Sequence, residues 1–270
     1  MGRTGRRLVF ALALALGMSL AAPLQLAHAG TACEEVAQDA ANFVKAVKLA
    51  EKTSAALDAS GAEVALIARV GQDLSRYDLR YSHMAYAWRD HPKGRWSVVH
   101  LLNQCGTASS KVFDQGLANF FLDDLFAYES QIVIPGAQSQ KRIVAMLASG
   151  APARLHGASY NMLAFPFSTK YQNSNQWVLE TYAASASDSA IDERGAAQSW
   201  LRQAGYVPNT IWVPSVKRLG ARMFRANVAF DDHPLGRRIA GQIDIVTVES
   251  VVRFVKKRDP ATTESVVGID

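Results

Sequence analysis

Two histidines and a serine are the residues of this chain whose types and positions could do chemistry. His83 and His100 lie in Tyr81–Thr107 (YSHMAYAWRDHPKGRWSVVHLLNQCGT), which reads as two strands joined by a short turn, one histidine in each. Ser174 lies in Tyr171–Tyr182 (YQNSNQWVLETY), which reads as a loop running into a helix. A neutral imidazole can take a proton from a hydroxyl. A helix start offers free N–H groups and a dipole that favour an anion. The structural readings are as definite: serine at such a place caps helices, and histidines in a core are satisfied by hydrogen bonds. Asn173 and Asn175 can form a turn or cap, or donate to an oxyanion. Zinc would need three or four ligands. His83 and His100 could be two, but no third His, Cys or carboxylate follows at zinc-type spacing, and His156 and His233 fall in turn-like sequence. No metal and no other cofactor is expected.

The hairpin must position the histidines. Strand alternation places Tyr81, His83, Ala85 and Ala87 on one face and Ser82, Met84, Tyr86 and Trp88 on the other. In the second strand Trp96, Val98, His100 and Leu102 share a face. A four-residue loop, Asp90 to Lys93, sets His83 directly opposite His100; a five-residue loop turns them to opposite faces, and the sequence leaves both open. The two alanines beside His83 leave room for a closely packed helix. The helix that follows Ser174, Asn175 to Ala184, turns Trp177, Val178, Thr181 and Tyr182 inward.

Around these the pattern predicts helices over Glu34–Ser60, Lys111–Phe121, Gln138–Ala148 and Glu193–Gln203, and strands over Val64–Val70 and Tyr128–Ile134. Asn161–Ser168 reads as extended around Pro166, Trp212–Ala221 is ambiguous, and Arg237–Val246 is strand-like. Thr247 is placed to cap a last helix with Val248, Val251, Val252 and Val255 on its inner side. Residues from Asp259 on are expected to be loose.

Residues 1–29 read as a cleaved export signal: Arg3, Arg6 and Arg7, then an apolar run from Leu8 to Leu24, then Ala27-His28-Ala29 as the small-residue cleavage pattern. The run is short for a membrane span, so no stable span is expected after cleavage and the protein is placed in the periplasm or outside the cell. The whole chain carries 29 basic and 24 acidic residues. Without the three leader arginines the balance is 26 to 24, close to neutral, which gives no electrostatic case for nucleic acid. Residues 30–258 form one domain with a helical extension at its C-terminal end, and 259–270 the tail. Cys33 and Cys105 are the only cysteines, and export predicts a disulfide between them; closing that loop would stabilise by roughly 4 kcal/mol.

The phrases RYSHMAYAWRDHP, VVHLLNQCGT and FPFSTKYQNSNQWVLE resemble the bacterial domain-of-unknown-function 2145 family over nearly all of the mature chain. The core also resembles, distantly, the circularly permuted branch of the NlpC-type papain-like hydrolases, in which a strand bearing Ser-His precedes a Tyr-Cys-Ser-Glu-type helix start. That resemblance implies an α+β fold with a mainly antiparallel sheet and packed helices. It puts His83 at the catalytic histidine, His100 at the group that orients it, and Ser174 where the family has its cysteine. Two expectations follow. One is a hydrolase or acyltransferase acting on an amide or ester, with Ser174 as nucleophile and His83 as base. The other is an inactive papain-like domain that binds a cell-envelope peptide or lipid, or serves an accessory envelope role.

Overall fold

A seven-residue run, Val64–Val70 (β1, VALIARV), is buried along its whole length. A strand of mostly branched aliphatic residues with both faces covered belongs in the middle of a sheet. In the computed structural model, which describes residues 39–269 apart from 105 and 124, β1 pairs with His83–Trp88 (β2) on one side and Ala127–Ile134 (β5) on the other. Ser97–Asn103 (β3) and Ser110–Gln115 (β4) extend the sheet beyond β2, and Thr263–Gly268 (β8) closes it beyond β5. The order is β4-β3-β2-β1-β5-β8, with every neighbouring pair antiparallel. The α+β class and the mainly antiparallel sheet are as expected.

Helices cover both faces. Ala40–Ser60 (α1) starts on the Asp39 side chain, which accepts from Ala41 N, and stops at Gly61, whose φ of 68° only glycine adopts freely. With Leu117–Phe121 (α2), α1 packs Leu49, Leu57, Phe120 and Phe121 against Ala65, Ile67, Ala85 and Ala87 of the sheet. The other face carries Ala137–Ala148 (α3), the short Ala151–Arg154 (α4), Ser174–Ala186 (α5), Arg194–Gln203 (α6) and Val248–Arg258 (α9). There Met84, Tyr86 and Trp88 meet Trp177, Val178 and Tyr182 of α5. Thr247 caps α9 in a capping box with Ser250, and Val248, Val251, Val252 and Val255 are buried, as the spacing predicts. A third apolar cluster joins Leu79 to the ribbon of Asn209–Trp212 (β6) and Gln242–Ile245 (β7). Ser215–Phe224 (α7) and Leu235–Ile239 (α8) lie between those two strands in sequence.

The structure corrects four expectations. Lys111–Phe121 is not one helix: Gly116 separates edge strand β4 from α2, and the exposed, polar β4 hides its strand period. Arg237–Val246 splits into α8 and β7. The tail is not loose, because residues 263–268 pair with β5 from Ile134↔Thr263 to Glu129↔Gly268. The alanine face of β2 does receive helices, but they are α1 and α2, whereas α5 lies on the opposite face. The leader and both cysteines lie outside the described residues, so the expected disulfide does too.

Candidate functional site

β2 and β3 pair only from Tyr86↔Val99 to Trp88↔Ser97 and part company toward His83. The connection, Arg89 to Trp96, is longer than the two loops expected, and Trp96 enters β3 at φ 55° with its ring nitrogen donating to Asp58 at 2.6 Å. The register is shifted by two residues from direct opposition. His83 and His100 therefore share a face as diagonal neighbours, and His83 Nε2 stands 2.9 Å from His100 Nδ1.

The gap between the strands is filled from the other side. Asn175, in the first turn of α5, accepts from Met84 N at 2.9 Å and donates to Ser82 O at 3.4 Å. Its amide takes the place of the missing stretch of β3. Asn173 caps the helix by accepting from Gln176 N at 2.7 Å, and also donates to Met162 O. Ser174 is thus the first helical residue, not the cap. Burial raises the pKa of the half-buried Tyr160, and the Ser174 hydroxyl beside it acts the other way.

On the α1/α2 face the histidines form a buried cluster. Phe120 lies 5.8 Å from the His83 ring and 5.5 Å from the His100 ring, centroid to centroid. Arg69 of β1 is buried beside them and bonded to the Phe120 carbonyl and the Asp123 carboxylate. The Gln115 amide nitrogen reaches His100 Nε2. Donation from Gln115 to Nε2 puts the His100 proton on Nδ1, which donates to His83 Nε2 and leaves the His83 proton on Nδ1. Burial, then the Arg69 charge, then His100 hold His83 well below its ordinary pKa. Burial and Arg69 bring His100 down to about 3. Both rings are neutral at pH 7.

The five expected residues therefore fall into two groups. Asn173, Ser174 and Asn175 share the start of α5, and His83 and His100 share a hydrogen bond. Asn175 links the groups through the backbone of β2, but no hydrogen bond joins Ser174 to either histidine, and their side chains attach to opposite faces of the sheet.

Two residues beside this site carried no signal in the sequence. Gln115, the last residue of β4, lies in the middle of a stretch that reads as helical. Glu180, fully buried in α5, accepts from Arg194, Gln172, Gln176 and Gln198. Burial raises its pKa, and Arg194 foremost pulls it back. Arg194 also donates to the carbonyls of Thr169 and Tyr171, so this buried pair fixes the loop that delivers Ser174. The other described histidines are also engaged: His91 Nδ1 accepts from Lys93 N at 3.1 Å, His156 Nε2 meets Ser110 Oγ at 3.1 Å, and both His233 nitrogens face oxygens of Asp232 and Asp244. Two cavities, of about 190 and 370 Å³, flank Arg142 near the C-terminal end of α5. That is about 18 Å of helix away from Ser174.

A family model described as an uncharacterized protein conserved in bacteria, domain of unknown function 2145, matches residues 56–255. The chain belongs to this family. The matched span runs from the end of α1 to the last turn but one of α9 and holds every candidate residue named above except the cysteine at position 33. No curated protein and no solved structure matches the chain. Among the described residues, no helix is long and apolar enough to cross a membrane.

Proposed function

We propose that this family member is a non-catalytic domain of papain-like, circularly permuted NlpC type, exported to the cell envelope, where it binds an envelope peptide or lipid or serves an accessory role. Two features support the papain-like part: a helix begins at Ser174 on an antiparallel sheet, and its first turn is bonded to the strand that bears His83. The observation that carries the silent reading is the hydrogen-bond chain Gln115–His100–His83. A general base needs a free imidazole lone pair within reach of the nucleophile. Here both Nε2 of His100 and Nε2 of His83 already accept, and no hydrogen bond joins either ring to Ser174. A serine hydroxyl with no base stays a poor nucleophile.

Incubation with a fluorophosphonate probe tests this. The chain should remain unlabelled at neutral pH, as should its Ser174→Ala variant. Labelling that disappears in both Ser174→Ala and His83→Ala would restore the hydrolase reading, with Ser174 as nucleophile and His83 as base.

A further inference from the structure

Single exposed apolar residues are ordinary on a protein surface, but three on adjoining segments that also carry cations without a carboxylate partner are not. β6 ends at Trp212, which is 64% exposed, and α8 carries Leu235 at 61% and Ile239 at 71%. The last two are one helical turn apart and share a side of α8. Trp212 lies against Gly241, where an added Cβ would stand 3.3 Å from the indole ring, and Val213 N bonds Gly241 O at 2.9 Å. Gly241 is two residues past Ile239, so the indole and the apolar side of α8 meet at one corner of the β6/β7 ribbon. α7 starts at the same corner, with Arg218 donating to Val213 O at 2.7 Å.

Along the two segments that carry this corner, residues 214–225 and 231–244, every acid is engaged. Asp231 is bound to Lys170, Asp232 to His233 and Asp244 to Arg237. Lys217 and Arg218 in the first turn of α7 and Arg238 of α8 have no carboxylate partner among the described ion pairs.

We infer that Trp212, Leu235 and Ile239, with the cations around them, form a docking surface for an anionic phospholipid bilayer. Tryptophan favours the headgroup level, branched apolar side chains enter the acyl boundary, and unpaired lysine and arginine are drawn to anionic lipid. The residues involved are not those of the Ser174 site, and a hydrolase could dock in the same way. A result here therefore leaves the silent-site reading untouched.

Co-sedimentation with vesicles tests the surface, using the chain from Gly30, which keeps every described element and all three apolar clusters. Partitioning onto vesicles containing phosphatidylglycerol should exceed that onto phosphatidylcholine alone by about tenfold or more and weaken with salt. Trp212→Ser with Ile239→Ser, and separately Lys217→Glu with Arg238→Glu, should each lower it about tenfold, with unchanged circular dichroism. The tryptophan emission should shift blue on binding, and Trp212→Phe should remove the shift. Failure to bind either vesicle, equal binding to both, or full binding by the Trp212 and Ile239 variant would each overturn the assignment.

Discussion

His83 Nε2 and His100 Nδ1 lie 2.9 Å apart, on neighbouring strands that have already stopped pairing with each other. The bond spans the opening between β2 and β3, and it needs at least one neutral ring. Folding lowers both pKa values, so their contribution is present in full above the unfolded value near 6.5 and is lost progressively as pH falls from there toward the folded values. For His100, folded at about 3, the loss between pH 7 and pH 5 is about 2 kcal/mol. Urea midpoints measured across that range should fall steeply, and His100→Gln should flatten the dependence.

Asn175 closes the same opening in the plane of the sheet. Asn175→Ala strands Met84 N and should cost about 1–3 kcal/mol. Hydrogen exchange at the Met84 amide should accelerate well before exchange in β1, where ladder bonds are intact on both sides.

Glu180 and Arg194 form an ion pair buried on both sides. Glu180→Ala leaves a buried guanidinium unpaired and should cost about 3–5 kcal/mol. Replacing both with apolar residues of similar volume should be less damaging than either single change, which a double-mutant cycle in urea would read directly.

Ser174→Cys discriminates between a helix start and a working pair. With the lone pairs of His83 and His100 engaged, the thiol should alkylate no faster than an ordinary exposed cysteine. Asn173→Ala, which removes the cap, should cost about 1 kcal/mol.

Much of the scaffold around the site was legible because it is written in local periods. The shared face of His83, Ala85 and Ala87 follows from the strand repeat, and the α9 cap from Thr247 and the valine spacing. The start of α5 was legible as a helix, though Asn173 rather than Ser174 caps it. What could not be read lies in pairings between distant segments. The hairpin register is set by Trp96 reaching Asp58, thirty-eight residues earlier. The partner of His100 is on β4, an edge strand too polar to show alternation. An inner stripe was expected for α5, yet it is buried on every side from Ser174 to Ser185, so its amphipathic pattern is absent. Glu180 then looks like a surface residue until Arg194 is found beside it.

The closing strand, β8, is made from Thr263–Gly268, and it completes a sheet whose other five strands are all in place by residue 134. During synthesis β5 must therefore wait, one side open, while well over a hundred further residues are added. At roughly 5–20 residues per second that wait lasts several seconds or more. An unpaired strand edge is adhesive toward any other chain. A chain interrupted between α9 and β8 would therefore keep β5 open and sticky along the edge that β8 covers.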